Sequence, residues 1–192
     1  MNILADPLPT TVNLQNREVE IKTDFRPWLQ FIQTIQEYNL EALTMDDYIE
    51  MVERISRILF TVQPELTYDL FPAVVAFFSG YSNGKKGEST NEKLVDYSID
   101  ADAIYASFAQ VYGIRLLNET RMHWYEFRTL FANLPEDCPV GRLMHIRGMK
   151  DSDVPKEKLQ DLHKLKESVA LPTFRSYKED AEALNNLRKA LK

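Results

Sequence analysis

The stretch Thr67-Tyr68-Asp69-Leu70-Phe71-Pro72-Ala73-Val74-Val75-Ala76-Phe77-Phe78-Ser79-Gly80-Tyr81 decides the fold class. It is apolar on nearly every side, as in a helix covered all round, whether by its own chain or by a partner. Its continuous apolar run, Leu70 to Phe78, is about half of the ~20 residues a helix needs to cross a hydrocarbon core about 30 Å thick. The stretch therefore reads as the central helix of a soluble bundle and not as a membrane span. The rest of the chain can supply the cover, because 192 residues, 44% hydrophobic and 27% charged, match the composition of globular domains. A chain of this size buries about 70% of its unfolded surface and needs no disulfide or metal to hold a core. Cys138 is the only cysteine, which removes intramolecular disulfides and Cys-based zinc clusters and reads as a small buried hydrophobe.

Working back toward the N-terminus, Met45, Tyr48, Ile49, Val52, Ile55 and Leu59 form a wide apolar stripe, opened by a capping arrangement of Thr44 with Asp47 and closed before Pro64. An earlier helix carries Trp28, Phe31, Ile32, Ile35 and Tyr38, with Pro27 in its first turn. Before it, Thr11 to Leu14 and Glu18 to Ile21 alternate polar with apolar residues around Gln15-Asn16-Arg17, as in a short hairpin that has to lie against helices.

Toward the C-terminus, Ser79 to Asn91 is a Gly-, Ser-, Asn- and Lys-rich loop without period. A helix follows with Ile104, Phe108 and Val111 on one face and Gly113 as its stop. Another carries Trp124, Phe127, Leu130, Phe131 and Leu134 up to Pro135, and a shorter one runs from Pro139 to about Arg147 with Val140, Leu143 and Met144 inward. Beyond Asp151 the stripes thin. Leu159, Leu162, Leu165 and Val169 precede the break at Leu171-Pro172, and a capping box from Ser176 to Glu179 opens a last helix lined by Tyr177, Ala181, Leu184, Leu187 and Leu191. The expected architecture is mainly α: a single-domain helical bundle of about seven or eight helices with a short N-terminal β-hairpin. Residues 1–150 form the hairpin and helical core, and 151–192 a basic helical pair docked on that core or used for association.

Charge narrows the function classes. The net charge is −6, which disfavours general attraction to a phosphate backbone, so no nucleic-acid partner is expected. The charge is unevenly spread, with 11 basic and 21 acidic side chains in residues 1–141 against 12 and 8 in residues 142–192. Gly80-Tyr81-Ser82-Asn83-Gly84-Lys85-Lys86 only superficially resembles a phosphate-binding loop: its Gly-to-Gly spacing is one short, and Lys86 stands where Ser or Thr must reach magnesium. His123, His145 and His163 are too far apart in sequence to pair on one helical face. His123 and Glu126 lack the second motif that a carboxylate-bridged metal site requires. Asp46-Asp47, Asp100 with Asp102, and Glu136-Asp137 fall at expected helix starts, where negative charge suits the helix dipole better than it suggests acid–base chemistry. No nucleophile elbow, zinc-protease or dinucleotide signature is present. The expectation is a non-enzyme with no metal, cofactor, small-molecule substrate or membrane partner. Met1-Asn2-Ile3-Leu4-Ala5-Asp6-Pro7 lacks a signal-peptide pattern, which points to the cytoplasm.

Several segments carry a family resemblance. They are Leu8-Pro9-Thr10-Thr11-Val12, Thr23-Asp24-Phe25-Arg26-Pro27-Trp28, Ile104-Tyr105-Ala106-Ser107-Phe108 running on to Gln110-Val111-Tyr112-Gly113-Ile114, His123-Trp124-Tyr125-Glu126-Phe127 with Leu130-Phe131, Leu134-Pro135-Glu136-Asp137, and Ala170-Leu171-Pro172. In this order, over roughly residues 3–172, the chain resembles the small tail-assembly proteins of long-tailed bacteriophages and prophages of Gram-positive hosts. It departs from them at Tyr125, where a second Trp is expected, at Ser107, where Ala is usual, and in the basic helix beyond Leu171. The resemblance implies a non-catalytic tail-assembly chaperone for the tape-measure protein, acting in the cytoplasm of the infected or lysogenic host and often self-associating. A structural connector or completion protein retained in the virion is the alternative. The surface expected to hold the partner is the central helix through Phe71, Val74, Phe77 and Phe78, joined by Trp124 and Phe127. A hydrolase would instead bring His123 or His145 together with a carboxylate in a deep pocket.

Overall fold

Turn chemistry starts the fold. Gln15 and Asn16 both take positive φ (49° and 63°), the backbone of a two-residue hairpin turn whose twist matches that of its strands. The Asn13 side chain accepts from the Asn16 backbone N–H at 3.1 Å. The strands are β1 (Thr11–Leu14) and β2 (Arg17–Glu20), antiparallel with Val12 opposite Val19 and Leu14 opposite Arg17. Arg17, expected in the turn, is thus the first residue of β2. Val12 and Leu14 point inward and are buried, so β1 is the strand that lies against the helices, packing on α3 (Leu70–Ser79).

The computed structural model describes residues 5–40, 42–80 and 94–171. Within them the helices are α1 (Phe25–Glu37), α2 (Met45–Leu59), α3, α4 (Ala101–Tyr112), α5 (Trp124–Ala132), α6 (Pro139–Gly148) and α7 (Leu159–Ser168), with short 3₁₀ turns at Asp151–Asp153 and Lys156–Lys158. The mainly α class with a short N-terminal hairpin is therefore as the sequence predicts. The loop expected over residues 79–91 and the last helix expected from Ser176 lie almost wholly outside the described residues. By internal packing the described chain divides into two units: residues 5–80 with 121–129, and residues 94–120 with 130–171.

In the first unit, local signals set the helix ends. The Asp24 side chain accepts from the Arg26 backbone N–H at 3.0 Å and so caps α1. Thr44 and Asp47 close a reciprocal capping box on α2, each side chain bonded to the other's backbone N–H at 3.2 Å. α1 buries Phe25, Trp28, Phe31, Ile32 and Ile35 and packs on α2, which buries Met51, Val52, Ile55 and Leu59. The predicted α2 stripe is therefore only partly core. Its first members, Met45 and Ile49, are 68% and 44% exposed. The segment 121–129 joins this unit through a short antiparallel bridge, with Trp124 N–H donating to Thr23 O at 2.7 Å and Phe25 N–H to Met122 O at 3.0 Å.

In the second unit, α4 ends as Gly113 predicts. Gly113 takes φ 69°, its N–H donates to Ala109 O, and Ile114 N–H reaches back to Phe108 O, which is the double bond of a Schellman stop. α4 packs on α6 and α6 on α7. Ser107 donates to Ala103 O and accepts from Val140 N–H at 2.9 Å, so its hydroxyl satisfies an orphan donor in the first turn of α6. Cys138, buried as expected, also caps α6, its Sγ accepting from Gly141 N–H at 3.4 Å. Asp100 stands at the start of α4 but caps nothing there. Its carboxylate takes both arms of the buried Arg147 guanidinium at 2.7 and 2.8 Å. Arg147 also donates to Leu94 O and Val169 O, so one side chain gathers α4, the residues before it and the end of α7.

Candidate functional site

The six residues expected to face a partner converge, but inward. Phe71, Val74, Trp124 and Phe127 are essentially inaccessible, Phe77 is buried and Phe78 half-buried. Trp28 sits at the centre of their cluster, stacked on Phe77 with ring centroids 4.9 Å apart and lying 6.2 Å from both Phe78 and Trp124. Phe25 stacks on Phe127 at 4.5 Å, and Phe78 on Trp124 at 5.4 Å. The central helix is thus covered by its own chain: by Trp28 and Phe31 of α1, by Trp124 and Tyr125 of α5, and by β1. A helix apolar all round reads the same whichever chain covers it, so periodicity could not decide this. The aromatic content of α1, whose Trp28 and Phe31 sit on its inward stripe, was the available signal.

α5 completes this cluster by capping α3. The last carbonyls of a helix have no partner within it. Here Phe78 O accepts from the Trp124 indole N–H at 3.2 Å and from Arg128 at 2.6 Å, Phe77 O accepts from the Tyr125 hydroxyl at 2.7 Å, and Ser79 O accepts from Arg128 at 3.2 Å. A guanidinium at a helix C-terminus also complements the dipole. Burial pushes the Tyr125 phenol above its ordinary pKa, which suits a hydroxyl that serves as a donor. Gly80 ends α3 at φ 37°, with the Tyr125 ring where a Cβ would be, so it is a helix stop packed on an aromatic ring. Residues 81–86 of the phosphate-loop-like string lie outside the described residues.

His123 is engaged at both nitrogens. Nδ1 accepts from Tyr125 N–H at 3.1 Å, which assigns the proton of the neutral ring to Nε2, 3.0 Å from Pro9 O. It lines a cleft of about 700 Å³ with Lys22, Asp24, Arg26, Arg121 and Glu126. Three of these side chains are committed: Lys22 donates to Ile58 O, and Arg26 pairs with Asp24 at 2.9 Å. A second groove, about 370 Å³ and wholly in the second unit, is lined by Leu94, Phe131, Leu134, Val140, Met144 and Met149. At its rim His145 Nδ1 lies 3.8 Å from Glu136 Oε2, and both side chains are exposed. No hydroxyl, thiol or amine lines this groove. Among the described residues no group of three or more His, Cys, Asp or Glu side chains could hold a metal ion, and no helix is long and apolar enough to cross a membrane.

What the first unit leaves open is an apolar surface. Met45 and Ile49 on the opening turns of α2, with Leu66 (49% exposed) and Tyr68 (73% exposed) ahead of α3, are large hydrophobes in contact with solvent. The Tyr48 ring meets the edge of Phe71 at 6.0 Å and so joins the start of α2 to the start of α3. Carboxylates surround these residues: Asp46, Asp47 and Glu50 on α2, and Glu65 and Asp69 ahead of α3. Sequence reasoning did not single out this surface, because a wide apolar stripe does not show which of its members stay exposed.

Comparison with known proteins adds one match. A family model described as "Bacteriophage Gp15 protein" matches residues 4–171. No curated protein and no solved structure matches the chain.

Proposed function

We propose, from the premise that the chain belongs to the bacteriophage Gp15 protein family, that it is a tail-assembly chaperone of phages of Gram-positive bacteria, binding the tape-measure protein in the host cytoplasm without catalysing a reaction. A tape measure is a very long, helical, partly apolar chain, and exposed apolar surface on such a chain leads to aggregation before the tail tube encloses it. A soluble cover needs two things: apolar surface to offer, and charge to stay in solution while offering it. The observation that carries the reading is the set Met45, Ile49, Leu66 and Tyr68, exposed on a unit whose aromatic core is already complete and whose surrounding charges are acidic.

Co-expression with the tape-measure protein of the same phage, affinity capture and sizing test this. A soluble complex that is absent from purified virions is the expected result. If no complex forms and the protein instead copurifies with finished tails at low fixed copy number, it is a connector or completion protein and the chaperone reading fails.

A further inference from the structure

We infer that the acidic-rimmed apolar surface at the start of α2 and ahead of α3 is a docking site for a basic amphipathic helix of the partner; the inference rests on the binding role proposed above. Met45 and Ile49 stand four residues apart, one turn above the other on a single helical face. That face is rigid from its first residue, because the Thr44–Asp47 capping box fixes the helix start. The Tyr48–Phe71 contact ties the start of α2 to the start of α3, and the segment leading into α3 carries two further exposed hydrophobes, Leu66 and Tyr68.

The rim selects the occupant. Asp46 and Glu50 are exposed on the same turns as Met45 and Ile49, and Glu65 is exposed next to Leu66. Capping accounts only for Asp47, and Asp69 is committed to Thr67 and to the Gln15 backbone N–H. The nearest cations on α2 are already paired, Arg54 with Glu37 at 2.8 Å and Arg57 with Glu53 at 3.1 Å. Glu50 accepts from the Tyr38 hydroxyl at 3.3 Å and keeps its charge at the surface. An apolar strip flanked by exposed carboxylates fits a helix with Leu-type residues on one face and Lys or Arg at its edges, and repels an acidic one. A second copy of this chain is a poorer fit. The described helix α7 carries no net charge, with Asp161 and Glu167 against Lys164 and Lys166, and it buries Leu162 within its own unit.

The test uses the intact purified chain and two labelled peptides of about five helical turns, one Leu/Lys and one Leu/Glu with the same apolar face, read by fluorescence anisotropy. The Leu/Lys peptide is expected to bind, more weakly at high salt, and the Leu/Glu peptide not to bind. Met45→Ser with Ile49→Ser is expected to weaken binding about tenfold or more without moving Tm, since both residues are exposed, and Asp46→Asn with Glu50→Gln to weaken it while leaving the apolar face intact. Equal binding of both peptides, no binding, or binding indifferent to the Ser pair overturns the assignment. So does a wild-type dimer that the Ser pair converts to monomer, which would make a second copy the occupant. Tape-measure capture with the Ser pair separates the two readings. Undiminished capture sinks this surface and leaves the chaperone standing; no capture by the wild type sinks the chaperone, and the peptides alone then decide the surface.

Discussion

At the scale of single residues, conformation and charge make separate predictions. Gly80 combines a positive φ with a Tyr125 ring in the space a side chain would need. Gly80→Ala therefore meets backbone strain of about 1 kcal/mol and a displacement of the ring whose hydroxyl caps Phe77 O. A loss of stability of about 2 kcal/mol or more, read as a lower urea midpoint, is expected. An unchanged midpoint would show that the Tyr125–Phe77 hydrogen bond has another geometry. Asp69 makes a pH prediction. Partial burial raises its carboxyl pKa, but the Thr67 hydroxyl and the Gln15 backbone amide lower it more, so the net shift is downward. A carboxylate with a depressed folded pKa adds stability that is complete above the unfolded value, about 3.9, and that fades as pH falls through the folded one. Asp69→Asn should accordingly lower stability near neutral pH, and the two proteins should converge in acid unfolding as pH falls from the unfolded value through the depressed folded one. A constant difference across that range would remove Asp69 from the acid response.

At the scale of elements, the capping chemistry was legible because it is local. Thr44 and Asp47 stand three residues apart, Gly113 ends α4 in the left-handed conformation, and Pro27 sits in the first turn of α1. Thr44→Ala is expected to cost about 1 kcal/mol, read as a lower Tm with unchanged binding. Contacts between distant positions carry no such signal. Asp100 reads as one more acid at a helix start, yet it lies 47 residues from the Arg147 that holds it. Breaking a buried pair costs far more than losing an exposed cap, so Arg147→Met is expected to destabilise by about 3–5 kcal/mol through an uncompensated Asp100. Asp100→Asn with Arg147→Met should recover part of that loss, and a double variant as unstable as Arg147→Met would refute the pairing account. Ser107 had the same illegibility. As a packing residue it is exchangeable with the Ala usual in the family it resembles, but its hydroxyl accepts from a buried first-turn N–H of α6. Ser107→Ala should therefore cost about 1–3 kcal/mol, where a pure packing role would predict almost none.

At the scale of the molecule, the same apolar pattern has been put to two uses, and only the structure separates them. The α3 run and the α2 stripe both read as faces that want cover. α3 receives it from Trp28, β1 and the opening of α5, whereas Met45 and Ile49 on the first turns of α2 stay exposed. Period and hydropathy report that a side chain prefers to be buried; they carry no information on which surface arrives to bury it. This difference decides which variant can test binding. Phe77→Asp would place a carboxylate against the Trp28 ring 4.9 Å away. It would lose about 3–5 kcal/mol of aromatic packing and add the desolvation cost of a buried charge, a large part of the stability of a domain this size. Its expected readouts are a lost near-UV spectrum and a broadened or absent melting transition, so failure to capture a tape measure would report unfolding. Met45→Ser with Ile49→Ser removes comparable apolar area from the solvent-exposed surface and should leave the melting curve within about 0.5 kcal/mol of wild type. If the order were reversed, with Phe77→Asp folded and the Ser pair unfolded, the division of the two faces into core and surface would be wrong. If both variants fold, the central helix regains its claim to the partner.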